Sequence, residues 1–408
     1  VELATAPNGN LRLEITRQTI QLAEAKKKQA LGAFLPVLEG NLSAASQTRN
    51  LQSFGFNFPG INPFIGPYHV VDYRATASQS ILDFSAIRRY QAAKLQLDAT
   101  NAEVKAALES TTQQVARAYV LALKAEAAVD TAKANVSLAE RLAALADSLK
   151  TAGTGTGLEV TRSKVQLQTE KQRLLVAEND LSRAYLELKR AIGVDLGQPI
   201  ELTDRMNNGL EPPVKLEDAI ALAQQTRPEL LAQQKRQAAV QMSRRSITAE
   251  RLPSFGASGD YGAIGDGASY RPTRSIGVGM RVSIFDGGRR EARAAEAEVQ
   301  VRQERLRAED LKRQIELEVR LALQNLENAR SQIDTAKLAL KLAESEVEQA
   351  QRRSEAGVAN SVELTDAQTR LARARDNQLA AIYQFNLARI DVAAATGTMS
   401  QAVKGMVQ

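Results

Sequence analysis

Between Ser85 and Thr151, and again between Gly287 and Glu355, the chain carries no proline and no glycine beyond Gly287 and Gly288. Apolar residues return there at three- and four-residue spacing. In the first stretch Val115, Ala122, Val129, Val136 and Ala143 form a seven-residue ladder, with Ala118, Ala125, Ala132, Ala139 and Ala146 between them. That 3.5-residue period is the mark of a supercoiled helical seam. Alanine at every second seam position predicts close approach of helix backbones. At 1.5 Å per residue, 85–151 and 287–355 predict two helices each on the order of 100 Å long. A shorter helix is expected to return after each, over 158–192 and 362–395. Short helices are expected over 11–34, 216–225 and 228–252, with Pro228 in a first turn, where proline is tolerated.

The period changes to two over 37–82 and 253–285. "VDYRATASQSI" sets Val71, Tyr73, Ala75, Ala77 and Ile81 on one face and Asp72, Arg74, Thr76, Ser78 and Ser80 on the other. "SIGVGMRVSIF" alternates Ile276, Val278, Met280, Val282 and Ile284 with Gly277, Gly279, Arg281 and Ser283. Each window predicts a hairpin of two long strands around a Gly/Pro/Asn-rich turn. Leu35-Pro36 and Leu252-Pro253 mark the starts, where proline stops a helix and tolerates a strand. Few charges and many aromatics set these windows apart from the rest of the chain. Long strands alternating apolar and polar match the weak signature of an outer-membrane barrel. An ordinary soluble hairpin alternates in the same way, but nothing else in this chain offers the strands an apolar partner. Four strands cannot close a barrel, and open edges are not tolerated in lipid. Several chains would have to pool strands, and three would give twelve.

The same plan occurs twice. A shift of 204 residues carries Gly153 to Gly357, Ala152 to Ala356, Glu159 to Glu363, and the ladder from Val115 onto Val319, Leu326, Ile333, Leu340 and Val347. The expected organisation is a first repeat over 1–192, a Gly/Pro/Asn-rich linker over 193–215, a second repeat over 216–396 and a tail over 397–408.

Composition narrows the function. The chain has 408 residues, no cysteine and no tryptophan, so no disulfide or thiolate metal site is possible, and any aromatic girdle must use Tyr and Phe. The net charge of +6 is spread over interspersed acids and bases, which predicts a solvated helical surface and no nucleic-acid face. No apolar run reaches the ~18 residues of a membrane-spanning helix. The chain starts at Val1 with no basic or apolar leader, which predicts a processed or trimmed chain. His69 is the single histidine, so a catalytic triad or histidine metal site is not expected. "GTGTG" at 153–157 lacks the preceding strand of a phosphate loop. No catalytic constellation, metal site or cofactor is expected.

The duplicated helix–hairpin–long helix–turn–helix plan, the two Leu-Pro starts, "SIFDGGRR" at 283–290 and "AGVANSVELTDAQ" at 356–368 together resemble the TolC-like outer-membrane efflux protein family. The resemblance implies a mainly α fold with a β-barrel part. It further implies a homotrimer whose twelve-stranded barrel sits in outer-membrane lipid and whose twelve-helix α-barrel extends into the periplasm. Function would be a passive exit channel of a tripartite efflux or type I secretion system, working with a periplasmic adaptor and, through it, an inner-membrane transporter. The two copied turns become tips that meet the adaptor: Ala152, Gly153, Thr154 and Gly155, with Ala356, Gly357, Val358 and Ala359. Glu363 and Asp366 fall where relatives place entrance acids, and Glu159 is the repeat partner of Glu363. Thr156-x-x-Glu159 is also a capping box, and Asn360-x-x-Glu363 is close to one. A tyrosine–arginine latch of some relatives falls on Ser354 and Ala359, so no such latch is expected. The alternative reading is a soluble coiled-coil periplasmic adaptor or scaffold without a pore, which would show one helical hairpin flanked by split β-domains.

Overall fold

A computed structural model describes the chain except residues 7–8, 205, 207–214, 357–360 and 407–408. Its elements run α1 (Glu2–Thr5), α2 (Leu11–Gly32), β1 (Val37–Asn50), β2 (Phe64–Leu82), α3 (Phe84–Thr151), α4 (Gly157–Ile192) and α5 (Leu216–Thr226). They continue with α6 (Pro228–Ala249), β3 (Ser254–Gly265), β4 (Tyr270–Arg281), α7 (Arg289–Glu355), α8 (Ser361–Ala395) and α9 (Met399–Met406). Two compact units result, each assembled from separate stretches of chain: Val1–Thr19, Ala102–Leu231 and Glu309–Gln408 in one, Ile20–Asn101 and Ala232–Ala308 in the other.

The described regular elements of the first unit are all helices. Its core follows the seven-residue ladder: Val115, Ala122 and Val129 on α3 and Val319, Ile333 and Val347 on α7 are all buried. The interposed alanines 125, 132, 139, 329, 336, 343 and 350 are buried as well, because a methyl group is all that fits where helix axes approach. Ala122 and Ala125 of α3 pack on Ala184 and Leu188 of α4. Ile333 and Ala336 of α7 pack on Ala381 and Phe385 of α8. A third cluster joins the two hairpins, with Leu142 of α3 against Val347 and Ala350 of α7 and Leu364, Ala367 and Leu371 of α8. Met399 opens α9 fully buried beside Ala116 and Ile390. Polar ties hold the linker and a helix end. The Tyr119 hydroxyl donates to Asp204 at 2.6 Å. Burial and that carboxylate push its pKa up to about 12. Arg227, nearly enclosed, reaches Glu318 at 2.8 Å and the terminal carbonyls of Ala394 and Ala395.

The second unit holds a four-stranded antiparallel sheet in the order β1-β2-β3-β4, so the two hairpins are joined through β2 and β3 and the outer edges of β1 and β4 are open. Val71 pairs with Gly265 and Ser80 with Gly256 across that junction. Asp83 caps α3 beyond the strand: its Oδ1 accepts from the backbone of Ser85 at 2.8 Å and of Ala86 at 3.1 Å. The alternation seen in sequence runs on to Phe285, yet β4 stops at Arg281. Arg281 is the partner of Ser254, the first residue of β3. Pro253 precedes it and has no N–H to extend the ladder. The helix begins at Arg289 and not at 287, because Gly287 and Gly288 both take left-handed φ values (+73° and +79°) that no helix contains.

Candidate functional site

The tips of the two helical hairpins lie in the first unit. At the first tip the chain leaves α3 through Gly153, whose φ of +79° is left-handed. The Gly153 N–H donates to Lys150 O, and Thr154 and Gly155 both donate to Leu149 O, which satisfies carbonyls that the helix end would strand. Gly155 is required by space: a β-carbon there would sit 2.9 Å from the Lys150 nitrogen. The chain then enters α4 through a complete capping box. Glu159 N–H donates to Thr156 Oγ1 at 3.3 Å, and Thr156 N–H donates to Glu159 Oε2 at 2.8 Å. Ala152, Gly153 and Thr154 are exposed and Gly155 is half-buried. The Glu159 carboxylate is thus engaged in starting a helix.

At the second tip Ala356 is exposed at the end of α7, its N–H donating to Arg352 O. Gly357, Val358 and Ala359, and with them one position of the latch, lie outside the described residues. Glu363 is half-buried in the first turn of α8 and receives Arg353 Nε at 3.1 Å. Asp366 is exposed, on the side of α8 away from buried Leu364, Ala367 and Leu371. One heptad further from the turn on both helices, Arg370 reaches Glu346 at 2.6 Å. The Glu346 hydrogen bond raises the Arg370 pKa, and charge attraction to Glu346 and Asp366 adds to it against partial burial. The first hairpin repeats the spacing, with Asp147–Lys164 at 3.8 Å and Glu140–Lys171 at 3.2 Å one heptad on. Neither Arg353 nor Arg370 is singled out by sequence alone. The signal was present as opposite charges that remain in step when both strands of an antiparallel helix pair are counted away from the turn. Beside the tips a groove of about 630 Å³ runs between the hairpins, with Arg141, Glu344, Glu348 and Arg375 on its walls.

The sheet of the second unit has two unlike faces. On one, Arg74 binds Asp72 at 3.2 Å, Thr273 at 3.2 Å and also Asp260, which accepts in turn from Ser275. Small residues (Thr76, Ser78, Ser258, Gly277) surround this network on the same face. On the other face Ile276 is 89% exposed, Leu38 78% and Val278 75%. Water penalises such a surface and lipid does not. Strands of 12 to 19 residues exceed the ~9–11 needed to cross a bilayer at a tilt. No described helix is long and apolar enough to cross a membrane. Among the described residues no group of three or more His, Cys, Asp or Glu is placed to hold a metal ion.

A sheet wet on one face and apolar on the other, carried with long alanine-seamed helical hairpins, defines the wall segment of an outer-membrane channel. The sequence matches the family described as outer membrane efflux protein over residues 4–194 and 219–398, and the chain belongs to that family. It is 27% identical to Protein CyaE of Bordetella pertussis over 322 residues, covering 76% of this chain and 67% of that protein. In fold it is similar to the outer membrane protein VceC of Vibrio cholerae, with a TM-score of 0.81, 18% identity, and 97% and 94% of the two chains covered. The Campylobacter jejuni CmeC outer membrane channel gives 0.79, 17%, 99% and 87%. The protein is therefore an outer-membrane exit channel for efflux or secretion, with a periplasmic extension, and the reading as a pore-free soluble adaptor falls away.

Proposed function

We propose that three copies of the chain pool their sheets into one closed twelve-stranded barrel, with twelve helices forming a continuous tunnel below it. The observation that carries this reading is the open β1 and β4 edges on a sheet with one apolar face. In hydrocarbon an unpaired edge leaves N–H and C=O groups with no partner, so neighbouring copies must supply it. Conduction is passive and the energy comes from an inner-membrane transporter reached through a periplasmic adaptor. The tips 152–155 and 356–359, with the charged groove beside them, receive the adaptor. Three copies of Asp366, exposed and attracted to Arg370 at longer range than the Arg353–Glu363 ion pair, crowd acid around the tunnel mouth and favour cations. Glu363 contributes through a network with Arg353, and Glu159 acts chiefly as a helix cap.

Native mass spectrometry of detergent-extracted protein, followed by planar-bilayer recording, tests the reading. A trimer with a cation-preferring pore is expected. Asp366→Ala should lower that preference more than Glu363→Ala, and Glu159→Ala should leave it nearly unchanged. A monomer without conductance would end the proposal, whereas a trimer with unaltered selectivity in both variants would remove only the entrance acids.

A further inference from the structure

Over its regularly paired part, short of the β1–β2 register shift, the apolar face of the sheet carries one charged side chain. Following the pairing register, the positions sharing the face of Ile276 are the alternate residues of 38–46 on β1, 69–81 on β2, 255–265 on β3 and 270–280 on β4. They include no Asp, Glu or Lys and a single Arg, Arg274. It is exposed and lies directly across from Tyr261, itself 67% exposed. Tyr73 and Tyr270 stand on the same face toward the turns, their rings edge to face at 5.4 Å between centroids. Ile276, Val278 and Met280 continue from Arg274 toward the helix end of β4.

A guanidinium on a lipid-facing surface needs an anion. The acids of this sheet do not provide it. Asp72 and Asp260 are held by Arg74 on the opposite face, and Glu39, in register with Thr76, belongs to that face too. A second copy laid along the β4 edge would present its own β1, whose outward residues are Leu38, Gly40, Leu42, Ala44 and Ser46. No carboxylate is found there either. Asp266, in the β3–β4 turn, is engaged as acceptor of the Ala268 and Ser269 backbone N–H groups. The remaining source is the membrane. Arg274 lies four residues from the strand end at Tyr270, on the order of 10 Å below it for a tilted strand. A long arginine stem can lift its head group across much of that distance toward the interface. The turns are at the end of the sheet away from the helices, so with a periplasmic extension this is the outer leaflet.

We propose that Arg274, with Tyr261 beside it and the Tyr73–Tyr270 pair above, binds the phosphate of an anionic lipid headgroup in the outer leaflet. The guanidinium offers paired N–H donors to the phosphate oxygens. The tyrosines place apolar rings among the acyl chains with hydroxyls at headgroup level.

The test uses the purified full chain in its native assembly, in nanodiscs of phosphatidylcholine doped with bisphosphorylated lipid A or with its dephosphorylated form, and counts retained lipid by native mass spectrometry. The wild type should retain the phosphorylated form by about tenfold or more over the other, a preference equal to ~1.4 kcal/mol. Arg274→Gln should lose that preference, Arg274→Lys keep part of it, and Arg281→Gln, on the opposite face, keep all of it. Equal retention of both lipids by the wild type overturns the proposal without any variant. So does an unchanged preference in Arg274→Gln, or displacement of the lipid by millimolar inorganic phosphate, which would make the site one for the free anion. Conductance in planar bilayers should persist in Arg274→Gln, so loss of the lipid site is separable from loss of the pore.

Discussion

The helical unit and the sheet use apolar side chains in opposite ways. In the helices a seam encloses Phe385, Leu188, Ile315 and Val319, each about 1% exposed, while Leu158, Leu338 and Leu342 stand singly on the outside. In the sheet the largest are displayed, and the polar residues gather around Arg74 on the other face. One polypeptide is thus written for two solvents. Water forces apolar groups inward and lets charge lie outside; hydrocarbon reverses the demand, and a hollow sheet keeps its charges on the wet side.

Substitutions in the two regions should fail in different ways. Phe385→Ala removes a ring enclosed by Ala329, Ile333, Ala336, Ala381 and Ala388 and should cost ~3–5 kcal/mol, read by chemical denaturation followed through helical circular dichroism. Ile276→Lys should leave detergent-solubilised helices intact but hinder membrane insertion, at ~2–4 kcal/mol per chain if the position lies near the bilayer centre. Normal insertion of that variant into liposomes would contradict lipid as the solvent of this face. Thr156→Ala breaks the capping box and should cost ~1 kcal/mol, with Thr156→Ser largely neutral, by thermal melting. The smallest effect concerns Asp376, whose pKa is raised by desolvation and only partly restored by Arg173. Between the ordinary and the raised value the folded state binds more protons than the unfolded one, so this group makes stability fall as pH rises. Asp376→Asn should remove that slope above about pH 4, a change measurable as a flatter melting temperature against pH.

Much of this was legible in the sequence. The seven-residue ladder from Val115 to Ala143 announces the buried seam, since a 3.5-residue period has one packing solution. The alternation from Val71 to Ile81 announces a strand with unlike faces. What the sequence hid is register between segments. Nothing local says that Arg353 meets Glu363 or that Arg74 links Asp72 to Asp260, because those meetings depend on how far one helix or strand slides along its neighbour. Arg274 was missed for a narrower reason. The two-residue period must be followed back past Ser275 into the turn-proximal end of β4 before its place among Ile276 and Val278 emerges. The end of β4 at Arg281 likewise depends on a partner strand, cut short by Pro253, that the alternation in β4 itself does not reveal.

The open edges of the sheet carry a genetic consequence. In the proposed assembly copies complete the wall and none can be missing, so a chain altered only along the outer rim of β1, for example by a proline that blocks pairing with the next copy, would still fold and still be recruited. It would then spoil every assembly it joined. Expressed beside the normal chain, such a variant should act dominantly, suppressing export out of proportion to its own abundance.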